Sequence, residues 1–251
     1  MIFRQLFDPE SSTYSYLLGD EKTKEGILID AVLSSTEQTL LLLEQLDLKL
    51  SIAIDTHTHA DHITGLGALR DRTGCTTMMG AQAVSDCLSA NFKDGDQIGG
   101  GSIKLDAIYT PGHTDDSYCF YLPSNSGGML FSGDTLLIHG TGRTDFQNGN
   151  AKQQYHSLFN RLLHLPNNCA VYPAHDYKGR TVSSIGEEKH KNPRLQISSQ
   201  VDYINLMDSL DLLNPKMMDV AVPANQACGD LHQPLFCGQY FFPSHDLFGR
   251  R

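Results

Sequence analysis

Short apolar runs separated by polar turns fill the first third of the chain. Ile2 to Phe7, Tyr14 to Leu18 and Ile27 to Ile29 are too short for helices and rich in β-branched and aromatic residues. They predict strands. Ser34 and Ser35 offer an N-cap for a helix over Glu37 to Leu46, whose leucines supply one apolar stripe. Ser51 to Asp55 follows as a short buried strand and runs directly into a histidine-rich segment. After the turns Asp94-Gly95-Asp96 and Gly99-Gly100-Gly101, strands are expected at Ile103 to Tyr109, Tyr118 to Leu122 and Met129 to Phe131. Helices are expected at Ala151 to Leu163, Thr181 to Lys191 and Gln200 to Leu212. Asn192-Pro193 and Asn214-Pro215 end the last two, because proline disfavours helix in the residue before it. Strands first and interleaved helices later predict sheets covered by helices on their outer faces. No linker divides the chain, so a single domain over residues 1–251 is expected, with the tail 231–251 unassigned.

Composition removes several classes of function. The chain has 251 residues, 40% of them hydrophobic, enough for a substantial core. Its longest apolar runs, such as Leu40 to Leu43, fall far short of the ~20 residues a membrane-spanning helix needs. The start, Met1 to Asp8, meets an acid before a secretory h-region could form. A formal charge of -10 repels a phosphate backbone, so neither nucleic acid nor a membrane is an expected partner. The six cysteines Cys75, Cys87, Cys119, Cys169, Cys228 and Cys237 show no C-x-x-C and no dense framework. They read as buried or free thiols of a reducing compartment, the cytoplasm or an organelle matrix entered with a transit peptide.

The chemistry is concentrated at strand ends. Thr56-His57-Thr58-His59-Ala60-Asp61-His62 is an H-x-H-x-D-H run on the loop after a predicted strand. Imidazole suits zinc, iron and other borderline metals, and carboxylate suits harder ones. A loop lets such neighbours converge where a straight strand would not. Three more strand ends each present one ligand: His113 in Thr110 to Thr114, Asp134 in Phe131 to Thr135, and His175 in Tyr172 to Tyr177. A lone Gly-His or Gly-Asp turn is usually only a turn. Their shared position makes the set a metal site.

This set resembles the metallo-β-lactamase superfamily, over roughly residues 1–225. His57, His59, Asp61, His62, His113, Asp134 and His175 fall on its ligand positions. The resemblance implies an α/β (α+β) fold, an αββα sandwich of two mixed β-sheets covered by helices. Gly140 to Gln147, Ala151, Tyr155-His156-Ser157 and Tyr172 to Tyr177 narrow it to the persulfide dioxygenase family. So do Glu187-Glu188, Asn192 to Leu195, Val222 to Asn225 and Cys228-Gly229. Ala31 follows Asp30 where many relatives have Pro, and Thr141 stands where some have Cys. Neither is a ligand position. By that resemblance one Fe(II) per chain is held by His57, His113 and Asp134, which are also the catalytic set. His59, Asp61, His62 and His175 then orient ligands and bound water. A 2-His-1-carboxylate triad leaves coordination sites open for a sulfur and O2 together, whereas zinc has no redox role. The implied reaction oxidises the outer sulfur of glutathione persulfide with O2 to sulfite and releases glutathione.

Glutathione carries two carboxylates, so the acidic chain needs a local basic pocket. Arg143, Lys178, Arg180 and Arg194 are the candidates, with Tyr177 as a hydroxyl donor beside the metal. Arg143 is favoured, lying nine residues after Asp134 in a Gly-rich loop, although pairing with Asp145 would make it a loop staple instead. The complete ligand set leaves open a binuclear zinc thioesterase of the glyoxalase II type, a hydroxyacylglutathione hydrolase. A non-catalytic metal-binding scaffold for a sulfurtransferase is the third reading. The family resemblance is compatible with a homodimer and with a functional link to a rhodanese-type sulfurtransferase.

Overall fold

The computed structural model describes residues 1–213 and 217–230. The Asn214-Pro215 stop, Cys237 and the tail 231–251 lie outside the described residues. Two six-stranded sheets are present. The first runs β1 (Ile2–Asp8), β2 (Thr13–Gly19), β3 (Glu25–Ile29), β4 (Lys49–Ile54), β5 (Thr76–Gly80) and β6 (Ala90–Phe92), in that order. β1 to β3 pair antiparallel, then β3 to β6 pair parallel. The second is assembled from β7 (Gln97–Gly100), β8 (Ile103–Tyr109), β9 (Tyr118–Leu122), β10 (Met129–Gly133), β11 (Ala170–Pro173) and β12 (Ser183–Ser184). Within it only β10 and β11 are parallel. Both sheets are therefore mixed, as expected.

The inner strands β2 and β3 are buried on both faces and read as near-continuous apolar runs, whereas β8 alternates buried Ile103, Leu105 and Ala107 with Lys104 and Asp106. Along β2, Tyr16 and Leu18 enter the cluster between the sheets while Leu17 turns to the outer face. Tyr118 and Phe120 of β9 point inward to the same cluster, and Cys119 between them points out. Two-residue periodicity thus sorts one sequence run into two cores. α1 (Thr36–Gln45) and α2 (Leu66–Thr73) cover the first sheet through Leu43, Leu66 and Leu69. α3 (Ala151–Phe159), α4 (Ile185–Lys191) and α5 (Gln200–Asp208) cover the second through Leu158, Ile185 and Tyr203. α6 (Met218–Gln226) lies beside the histidine-rich loop. The order of layers is αββα.

Local departures from the expected elements have local causes. Ser35 precedes α1 without a side-chain cap bond, and Ser34 instead donates to Asp8 at 3.3 Å. The helix expected from Thr181 begins only at Ile185. Ser183–Ser184 pairs with β11, and the Ser184 hydroxyl then caps Glu187 N at 3.1 Å. The helix expected to reach Leu163 ends at Phe159, and that expected to reach Leu212 ends at Asp208.

The cysteines require a larger correction. Cys87 and Cys228 form a disulfide across a separation of 141 residues. Cys75, Cys119 and Cys169 are free and buried, as expected of small apolar side chains. The partner thiols are distant in sequence and carry no spacing motif, so nothing local announces their pairing. A compartment read from uniformly reduced cysteines loses its basis.

Candidate metal centre and substrate cavity

β4, β8, β10 and β11 all end at the same rim, and each hands one part of the ligand set to the loop that follows. The loop after β4 carries His57, His59, Asp61 and His62; the others carry His113, Asp134 and His175. Gly133 turns β10 toward Asp134 with φ 51°, and a Cβ there would stand 2.7 Å from Thr56 Oγ1. Only glycine permits that approach without displacing the neighbour of His57.

Donor atoms of His57, His113 and Asp134 lie within 4.8 Å of one another. A second trio, His59, Asp61 and His175, meets the same condition. His62 packs beside His59 with ring centroids 4.3 Å apart and the planes tilted by 38°. All seven motif residues therefore converge, and they sort into two neighbouring groups.

The far side of almost every ring is already engaged. His57 Nδ1 lies 2.9 Å from Thr56 Oγ1, which itself donates to Asp30 at 3.1 Å. The hydroxyl can then only accept from His57, so His57 keeps its Nε2 lone pair for a metal. His113 Nδ1 donates to the Arg143 carbonyl at 2.8 Å, and His175 Nδ1 to the Ser12 carbonyl at 3.0 Å. His59 Nε2 faces Asp30 at 3.2 Å, and His62 Nδ1 faces Asp61 at 2.9 Å. Of the fully buried polar atoms in this set, His59 Nδ1, His62 Nε2 and Asp134 Oδ1 have no hydrogen bond. An unpaired buried polar atom costs about 1–3 kcal/mol, so three at one rim fit a site built for a cation.

Charge balance agrees. Burial holds His57 and His59 well below the ordinary imidazole range, the neutral form that ligates. At His175 burial pulls downward, but the carboxylates of Asp134 and Asp61 outweigh it and push the ring up to about 10. Asp61 is held well below the usual carboxylate range by His175 and His62, against its own burial. The second trio is thus internally neutralised as an ion-paired set.

Three supports escaped the sequence reading. Asp30, buried at the end of β3, accepts from Thr56 N at 2.7 Å and binds both histidine branches. Asp116 accepts from Thr58 N at 3.1 Å, Thr58 Oγ1 at 2.5 Å and Thr114 Oγ1 at 2.5 Å, tying two histidine loops together. Asn225 of α6 accepts from Thr64 N at 2.8 Å and donates to the carbonyls of His59 and His62, each at 2.9 Å. Asn225 sat in a quoted motif without a role. Asp30 and Asp116 show no spacing pattern, because their partners come from other loops.

A cavity of about 1110 Å³ opens above the ligands. The five substrate-binding candidates all line it. Arg143 grips Asp145 through two bonds of 2.6 and 2.5 Å, donates to the carbonyls of Leu213 and Leu212, and covers the Phe146 ring at 4.0 Å. Arg180 pairs with Asp176 and donates to the Ile138 carbonyl at 2.7 Å. Arg194, half-buried, donates to the Thr141 carbonyl and hydroxyl. Tyr177 is 73% exposed and lies parallel to His175 at 5.9 Å. Lys178 is exposed, and its ammonium has no partner among the described residues.

The metallo-β-lactamase superfamily pattern matches residues 8–85 and 88–175. The mitochondrial persulfide dioxygenase ETHE1 of Mus musculus is 47% identical over 234 residues, covering 91% of this chain and 89% of the relative. Its Homo sapiens counterpart is 45% identical over the same shares. The chain belongs to the persulfide dioxygenase family of the metallo-β-lactamase superfamily. Within that family, the crystal structure of ETHE1 from Myxococcus xanthus superposes with a TM-score of 0.88 at 51% identity. It covers 92% of this chain and the whole of the relative. The family fold is the αββα arrangement described above, and the ligand-bearing loops of this persulfide dioxygenase homologue all fall within the shared region.

Proposed function

We propose that the chain is an iron-dependent persulfide dioxygenase acting on glutathione persulfide. One persulfide, one O2 and one water give one glutathione and one sulfite. The observation that carries this reading is the trio His57, His113 and Asp134, in a chain 45–47% identical to named persulfide dioxygenases. These three residues would hold one Fe(II). Bound there, iron supplies the one-electron chemistry that O2 requires and zinc lacks. The protein's own part is orientation. Thr56 and the Arg143 carbonyl fix the tautomers of His57 and His113. His175 and Asp61 place a proton-bearing pair beside Asp134, at 3.7 Å from His175 Nε2 to Asp134 Oδ1. Leu137, Ile138 and Phe146 line the cavity and would limit water at a bound sulfur.

A single domain suffices, because both sheets contribute ligands to one rim. Among the described residues no helix is long and apolar enough to cross a membrane. An organelle-matrix setting accords with the mitochondrial relatives. A rhodanese-type sulfurtransferase that loads sulfur onto glutathione is the partner activity such a substrate calls for.

The second trio, His59, Asp61 and His175, keeps one competitor specific: the binuclear zinc thioesterase. Metal analysis of the wild type and of Asp134→Ala separates the two. We expect one iron per chain in the wild type and none in Asp134→Ala. His59→Ala should retain iron and lose roughly 10- to 100-fold in affinity or rate, as outer partners do. Two zincs per chain, or equal metal loss in both variants, would contradict the assignment.

A further inference from the structure

We infer that Lys178 and Glu10 form a subsite at the cavity mouth for a zwitterionic amino-acid group, one carrying a carboxylate and an ammonium together. Resting on the glutathione reading above, that group is the γ-glutamyl end of the substrate. The inference starts from which charges in the cavity are already spent. Arg143, Arg180 and Arg194 are engaged by Asp145, Asp176 and Thr141. Asp8 accepts from Ser11 and Ser34, and Asp176 from Arg180. Among the described residues lining the cavity, Lys178 is the cation and Glu10 the carboxylate whose charged group has neither a hydrogen bond nor an ion pair.

These two sit on adjoining turns. Glu10 belongs to the turn between β1 and β2, and Lys178 follows the His175 loop. The two turns are joined by backbone: Tyr14 N donates to the Ala174 carbonyl at 2.7 Å, and Thr13 bridges His175. His175 Nδ1 adds a bond to the Ser12 carbonyl at 3.0 Å. The Lys178 backbone is fixed in turn by Asp176, whose Oδ2 accepts from Lys178 N at 2.9 Å. Both side chains line the same cavity on coupled turns and are not paired with each other, so one ligand can engage both.

Sign decides the class of ligand. A plain dicarboxylate would meet Glu10 and a chain of charge -10, with Lys178 the one unengaged cation among the described residues lining the cavity. A zwitterionic head satisfies Lys178 through its carboxylate and Glu10 through its ammonium, and adds no net charge to an acidic surface.

Calorimetric titration of the metal-loaded full chain with S-methylglutathione tests this without turnover. Lys178→Ala and Glu10→Gln should each weaken binding roughly three- to tenfold, the range of a charge-assisted bond near solvent. Lys178→Arg should keep most of the affinity. With N-acetyl-S-methylglutathione, which lacks the ammonium, the Glu10→Gln effect should vanish while the Lys178→Ala effect persists. Variants that bind S-methylglutathione as the wild type does would overturn the subsite, as would a wild type that fails to bind it. Oxygen uptake with glutathione persulfide, measured on the same wild-type preparation, reports separately on the proposed function. Uptake without charge-dependent binding rejects the subsite alone.

Discussion

Arg143 shows how one side chain's neighbours decide between two roles. Position in the sequence favours a substrate clamp, since the residue follows Asp134 in a loop rich in glycine. Its guanidinium is instead consumed by Asp145 and by the carbonyls of Leu212 and Leu213, and its own carbonyl holds His113. We therefore expect Arg143→Gln to act mainly on stability. Losing charge-assisted bonds of this kind costs about 1–3 kcal/mol, which lowers Tm by roughly 2–12 °C in a chain of this size. KM for glutathione persulfide should stay within about twofold of wild type on the clamp-free account. Calorimetric melting and steady-state kinetics on the same variant check both halves, and a large KM rise with unchanged Tm would restore the clamp. The ligand residues were legible because H-x-H-x-D-H packs several donors into one loop. Asp30, Asp116 and Asn225 were not, because each supports that loop from a distance in sequence that only the fold closes.

At the scale of elements, strands with continuous or alternating apolar runs declared themselves: β2, β3, β8, β9 and β10 match the expected runs closely. α2, β5, β6 and β7 did not. Leu66–Thr73 has few apolar positions and no strong stripe, and Thr76–Gly80 earns its place only through parallel pairing with β4. Such pairing is a tertiary property that a short window does not carry. α6 is the element with the greatest leverage over the site. Its Asn225 binds three backbone groups of the histidine loop, and the Cys228 carbonyl accepts from Gly67 N at 2.9 Å. Asn225→Ala would leave those groups buried and unpaired, at a cost of about 2–4 kcal/mol. The loop carrying His57 and His59 should loosen, so metal should be lost faster to a chelator. Chelator-chase kinetics check this, and an unchanged release rate with only a lower Tm would make Asn225 a fold residue with no hold on the metal.

For the whole molecule, two sheets and four strand ends convert a scattered set of residues into one rim. That architecture followed from the order of strands and helices, and the family resemblance supplied the register of the ligands. The disulfide between Cys87 and Cys228 did not follow, since nothing in its spacing announces it. It spans 141 residues and ties the chain just after α6 to the segment between β5 and β6. The ligands and the residues that hold them meet at that one rim. The direct test is simultaneous measurement of O2 consumed and sulfite formed when glutathione persulfide is added to protein of known iron content. The account predicts one O2 and one sulfite per persulfide, at a rate proportional to iron up to about one per chain. Hydrolysis of an S-acylglutathione by zinc-loaded protein, with no O2 uptake by the iron-loaded form, would contradict it.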